Sequence, residues 1–293
     1  MSPRIEIDAG PSTETDQRTA SPQTAMNRID TRFAALRAAG RKALIPFFTA
    51  GDPSLEATVP VMHALVAAGA DVIELGVPFS DPMADGPTIQ RSSERALGRG
   101  AGMTYVLDAV REFRTQDDAT PVVLMGYLNP IDIRGAATFA KHAGDAGVDG
   151  VLLVDLPPEE ADEFRADFDG AGIALVLLAS PTTTDARIDA LCAGAQGYLY
   201  YVSFAGVTGA ADRLDTAQAS SRLRTIRAAS RAPVVAGFGI RDAASAAAMA
   251  VDADGVVVGS ALVAALDGAA DADEAAARAG AFLTPLRKAL DAG

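Results

Sequence analysis

Eight short apolar runs recur from Ile29 onward, each followed by a longer Ala-rich stretch of helical period, and this alternation is what most restricts the fold. The runs are ALIPFFT (43–49), DVIEL (71–75), PVVLMGY (121–127), GVLLVD (150–155), ALVLLAS (174–180), YLYYVS (198–203), PVVAGF (233–238) and GVVVGS (255–260). Most lack polar alternation, as expected of parallel strands buried on both faces. Helical stretches fall at 55–68, 103–115, 131–146, 158–171, 184–193, 217–229 and 243–252, with further starts near Thr88 and Ser260 and a terminal helix over 273–292. No block is left over for another domain, so residues 27–293 are expected to form a single α/β domain, a (β/α)8 TIM barrel with parallel strands. A doubly wound open sheet also alternates strand and helix, but it carries GxGxxG after its first strand, and ALIPFFTAGDP has no such turn. Residues 1–26 are polar and lack the apolar core of a secretory signal; a disordered extension is expected there.

Charge and residue scarcity then exclude chemistries. With 38 acidic against 25 basic residues, the net charge of −13 disfavours nucleic acid and anionic lipid as partners. The single Cys, Cys192, permits no internal disulfide, so a reducing, cytoplasmic setting is expected. No run of 18 apolar residues offers a membrane span. In a barrel of this type the chemistry sits at the C-terminal strand ends and the loops after them. His63 and His142 fall in outer helices, Lys42 precedes the first strand, and Lys141, Lys288 and Cys192 are helical. A histidine base and a Schiff-base lysine are therefore disfavoured, and no His/carboxylate constellation marks a metal site.

Carboxylates and phenols remain. Glu74 lies near the end of the second run amid Val72, Ile73, Leu75 and Val77, where burial would raise its pKa and suit it to proton transfer near neutrality; pairing to an arginine is the structural alternative. Asp81 and Asp85 occupy a long Pro- and Gly-rich loop, where either could bind ligand or cap the helix near Thr88. Tyr198 and Tyr200 share one face of the sixth run and Tyr201 takes the other, so a tyrosine hydroxyl near the mouth is expected either to meet substrate or to pack in the core. Glycine-rich turns at AGVTG (205–209), AGFGI (236–240) and GSALV (259–263) follow the last three runs, where barrels of this class commonly bind phosphate.

The stretches PFFTAGDP (46–53), AGADVIELGVPFSDPMADGPTIQ (68–90), VLLVDLPPEE (151–160), SFAGVTG, GFGIRDA and VVGSALV closely resemble the tryptophan synthase alpha subunit family in order and spacing over roughly residues 27 to 290. The resemblance implies retro-aldol cleavage of indole-3-glycerol phosphate to indole and glyceraldehyde 3-phosphate, within the last steps of L-tryptophan biosynthesis. It implies Glu74 and Asp85 as catalytic residues, and Phe47, Met125, Tyr127, Leu152, Tyr200 and Thr208 around the substrate. Gly209, Gly239, Gly259 and Ser260 match the phosphate positions. No cofactor or metal is implied for this subunit; pyridoxal phosphate belongs to a beta subunit that receives indole, in an alpha2beta2 assembly. Pro78 and Asp81 resemble the region meeting that partner, with Asp52 and Asp155 in the same supporting network. One departure is Phe204, where well-known bacterial members often carry Arg. A stand-alone lyase releasing free indole and a catalytically silent activator of the beta subunit are the alternatives.

Overall fold

The computed structural model describes residues 27–202, 216–237 and 239–292; the expected extension at 1–26 lies outside them. The strands are β1 (Ala43–Thr49), β2 (Ile73–Gly76), β3 (Val122–Gly126), β4 (Gly150–Leu153), β5 (Ala174–Ala179), β6 (Leu199–Val202), β7 (Val234–Gly237) and β8 (Gly255–Val258). Each pairs in parallel with the next and β8 pairs back onto β1, closing the barrel. The open-sheet alternative is thereby excluded. Each strand lies within its apolar run, apart from β2, which extends one residue beyond it to Gly76.

Around the barrel run α1 (Arg28–Ala38), α2 (Thr58–Ala67), α3 (Pro87–Gly98), α4 (Met103–Arg114), α5 (Asn129–Asp132), α6 (Ala136–Ala146), α7 (Ala161–Gly170), α8 (Asp185–Gly194), α9 (Thr216–Ala229), α10 (Ala243–Ala250), α11 (Ser260–Leu266) and α12 (Ala272–Asp291). The single helix expected over 131–146 is two, because Gly135 adopts φ 79°, a left-handed conformation that ends one helical path and starts another. Helix α1 was not anticipated, although Ile29, Phe33 and Leu36 recur at helical spacing and are buried. Asn27 caps it by accepting the Ile29 amide, and its own amide donates to the Asp149 and Gly172 carbonyls. Phe33 then covers the floor of the barrel, its ring centroid 5.8 Å from that of Tyr198.

A repeated clamp fixes that floor. A residue one to three positions before each even strand turns its side chain back to the start of the preceding odd strand: Asp71 accepts the Leu44 amide, Asp149 that of Val122, Gln196 that of Leu175 and Asp254 that of Val234, at 2.9 to 3.0 Å. In the three aspartate clamps the aspartate's own amide donates to the carbonyl of the same partner, so two bonds pin each junction. Arginines neutralise these carboxylates: Arg287 on Asp71, Arg114 and Arg28 on Asp149, and Arg227 on Asp254. Charge pairing with several hydrogen bonds is what makes burial of Asp71 and Asp149, each 3% exposed, tolerable. With the floor so fixed, ligand chemistry is left to the opposite end.

Candidate active site

Strand pairing sets Phe47 of β1 beside Glu74 of β2, and Gly76 beside Met125 of β3, so these inward side chains approach one another at the upper barrel. They open into a cavity of about 690 Å³ at the C-terminal strand ends, lined by Phe47, Glu74, Asp85, Met125, Tyr200, Gly239, Gly259 and Ser260 among others. A second cavity of about 770 Å³ lies at the opposite end, between Asn27, Phe33, Arg37 and Gln196. It gathers none of the expected catalytic groups.

Glu74 is fully buried and has no arginine partner among the described residues. Instead the Tyr198 hydroxyl donates to its Oε1 at 2.6 Å, while Oε2 is buried without a hydrogen-bond partner among the described residues. Burial pushes the carboxyl up to about 7, and the Tyr198 bond opposes that rise only in part. Because Oε1 accepts from Tyr198, a proton on this carboxyl resides on Oε2. Tyr198 and Tyr200 face inward as alternation requires; Tyr201 takes the other face, its hydroxyl buried without a partner among the described residues. Tyr200 approaches the barrel wall so closely that a Cβ on Gly237 would fall 2.0 Å from its hydroxyl, which explains a glycine at that strand end.

Asp85 does not cap α3, whose N-cap is Gly86 without a side-chain bond. The Tyr127 hydroxyl donates to Asp85 Oδ2 at 3.0 Å and accepts the Ala84 amide at 3.0 Å, and Phe79 stacks on the Tyr127 ring at 5.0 Å. This scaffold holds Asp85 partly buried over the cavity, and burial pushes its carboxyl up to about 6. Two carboxyls therefore reach one apolar chamber with different affinities for a proton, the pattern of an acid and a base assigned by environment.

The remaining candidates divide. Phe47, Met125, Tyr200, Gly239, Gly259 and Ser260 line the cavity. Tyr127 stands behind Asp85, in a small side chamber. Leu152 is fully buried below the cavity, and Val154, the next residue on the same face and about 7 Å higher along the chain, lines it instead. Thr208 and Gly209, with Phe204, lie outside the described residues. Asp52, Asp81 and Asp155 do not form the one network expected of them: Asp52 is held by Arg95 and Arg99, Asp81 accepts the Ser80 hydroxyl, and Asp155 accepts the Leu128 amide. Tyr198 was visible as an inward-facing candidate, but nothing in the chain singled it out as the partner of Glu74. The excluded groups stand where expected: His63 in α2 against Phe113, His142 and Lys141 in α6, Cys192 in α8 and Lys288 in α12.

Residues 33–290 match the family model described as tryptophan synthase alpha chain. Alpha chains of Xanthomonas oryzae pv. oryzae and Xanthomonas campestris pv. campestris are 77% and 75% identical over 266 and 269 residues, covering 91% and 92% of this chain and 99% of each relative. The solved tryptophan synthase alpha subunit of Legionella pneumophila superposes with a TM-score of 0.85 at 46% identity, covering 92% of this chain and 100% of that one. A chain of the Pyrococcus furiosus tryptophan synthase complex gives 0.76 at 38% identity, over 84% and 98%. With matches spanning nearly the whole barrel at these identities, the chain belongs to the tryptophan synthase alpha chain family.

Proposed function

We propose that Glu74 and Asp85 carry the reaction of this family, the cleavage of indole-3-glycerol phosphate to indole and glyceraldehyde 3-phosphate. The protein is a carbon-carbon lyase of tryptophan biosynthesis. The observation that carries the residue assignment is the buried Glu74 with one oxygen tied to Tyr198 and the other without a hydrogen-bond partner among the described residues. Protonated Oε2 delivers its proton to indole C3, giving an indoleninium. The carboxylate so formed removes the proton of the side-chain hydroxyl adjoining the ring. The bond from C3 to the side chain breaks, its electron pair returns to the indole ring, and the released carbon becomes the aldehyde. One proton enters and one leaves, so Glu74 ends as it began.

Asp85, with the lower pKa, remains ionised near neutral pH and accepts the indole N–H, stabilising the cation as it develops. Tyr127 serves to orient it. Phe47, Met125 and Tyr200 offer the apolar walls a planar ring needs, while Gly239, Gly259 and Ser260 suit the phosphate at the far end. Gly209 and Thr208 complete this assignment from the resemblance alone. The chemistry calls on acid-base groups of this chain; pyridoxal phosphate is assigned to the partner. An alpha chain implies a beta-subunit partner, and we assign an alpha2beta2 assembly in the cytoplasm. Among the described residues no helix is long and apolar enough to cross a membrane.

Two measurements check this. Indole release from indole-3-glycerol phosphate is expected from the full chain alone and severalfold faster with the beta subunit; no release in either case removes the assignment. Tyr198→Phe removes the bond that holds Glu74 down, so its pKa moves above about 7 and the pH profile of kcat/KM shifts to higher pH. An unshifted profile removes Tyr198 from the proton-transfer unit.

A further inference from the structure

Five charged residues line the cavity among the described residues: Glu74, Asp85, Asp155, Arg187 and Arg241. Arg187 is engaged, its guanidinium forming two bonds of 2.8 Å to Glu159. Arg241 is not: no hydrogen bond or ion pair to its guanidinium occurs among the described residues, and its side chain is exposed. Its backbone, by contrast, is fixed. The Arg241 amide donates to Ser245 Oγ at 3.0 Å within the capping box that starts α10, and the Asp242 carboxylate is occupied by the Ser245 amide and hydroxyl of the same box. Asp242, the adjacent acid, is therefore committed to the helix start. Arg241 lies two residues beyond Gly239 on the loop after β7, and β7 pairs with β8, which delivers Gly259 and Ser260. Of the other ionisable groups lining the cavity, Asp85 and Asp155 are acidic and Arg187 is paired with Glu159, and the chain's net charge is −13, so a phosphate dianion entering here meets an unfavourable field unless a cation stands at its end of the cavity.

We propose that Arg241 is a substrate-binding residue that pairs its guanidinium with the phosphate of the ligand, adding a side-chain charge to the backbone donors of the glycine turns. This rests on the phosphate end assigned above. A guanidinium presents paired N–H groups that match two phosphate oxygens, and a fixed backbone anchor with an unpartnered head leaves it available for that geometry.

The test is steady-state cleavage of indole-3-glycerol phosphate by full-length Arg241→Gln, Arg241→Lys and Ser260→Asp proteins, with and without beta subunit, across a salt series. Arg241→Gln is expected to raise KM about tenfold, the loss falling on KM far more than on kcat, as for a charge-assisted hydrogen bond at a partly solvated site. Arg241→Lys should fall between the two, and the difference between wild type and Arg241→Gln should shrink as salt rises. Arg241 has no internal side-chain bond among the described residues, so thermal unfolding of Arg241→Gln should match wild type, separating lost binding from lost folding. If KM of Arg241→Gln stays within about twofold of wild type while Ser260→Asp raises it, the phosphate end stands and the role of Arg241 is overturned. If neither substitution changes KM, the assigned phosphate end itself is wrong and the proposal falls with it.

Discussion

Glu74→Gln is expected to lower indole release by about a thousandfold while making the folded protein more resistant to unfolding at alkaline pH. The first effect follows from removing the proton that Oε2 delivers to the ring. The second follows from linkage. The folded protein holds the Glu74 proton up to about 7, whereas the reference value for the free side chain is 4.5. Ionisation therefore opposes folding. Wild type carries no penalty below about pH 4.5, loses stability as pH rises toward about 7, and has lost the full amount above it, roughly 3 kcal/mol. Glutamine is neutral throughout and still accepts from Tyr198. Urea unfolding of both proteins at about pH 5 and about pH 8 should thus show near-equal stability at the lower pH and a more stable variant at the higher one. Parallel stability curves would show that Glu74 is not a desolvated acid, and wild-type turnover would remove it from the mechanism.

Asp149→Ala is expected to cost about 3 to 5 kcal/mol of folding stability, because it takes the carboxylate from the buried Arg114 guanidinium and the Val122 amide, whereas Arg28, 37% exposed, can turn to water. The Asp149 side chain is 4% exposed and that of Arg114 10%, so water cannot replace what is lost. Asp254→Ala interrupts the same clamp beneath β7, but that carboxylate is 25% exposed and its loss should cost less. The urea midpoint reports both effects. Equal and small shifts would mean that the clamps are incidental to stability. The position lies at the floor of the barrel, so material that remains folded should keep the active-site pH profile of wild type. In this barrel the floor holds the strands in register, and the proposed chemistry lies at the opposite end.

How much of this was legible in the chain differs from residue to residue. All eight strands were, because a strand buried on both faces must be apolar throughout, and short β-branched runs separated by Ala-rich stretches admit few other folds. Helix α1 was not read, since its apolar stripe is only three residues and its cap, Asn27, gains meaning from the carbonyls it meets at Asp149 and Gly172. The break at Gly135 was missed because one glycine inside a helical pattern is compatible with continuation until its φ is known. Leu152 and Val154 share a face by alternation, and the pattern cannot say which of them reaches the height of the cavity.

The chain alone determined the barrel and the placing of His63, His142, Lys141, Lys288 and Cys192 on helices, because these follow from local period and residue type, while Glu74 and Asp85 were singled out by their resemblance to the family's motif. Tertiary structure alone decided the partners. Tyr198 reaches Glu74 across 124 residues of sequence and Tyr127 reaches Asp85 across 42. Arg241 stands near Gly239 with no hydrogen bond or ion pair to its guanidinium among the described residues, while Asp242 next to it caps a helix. Periodicity assigns a side chain to a face, but closing the barrel brings distant strand ends together, and a carboxyl's pKa depends on that company and on the water it excludes.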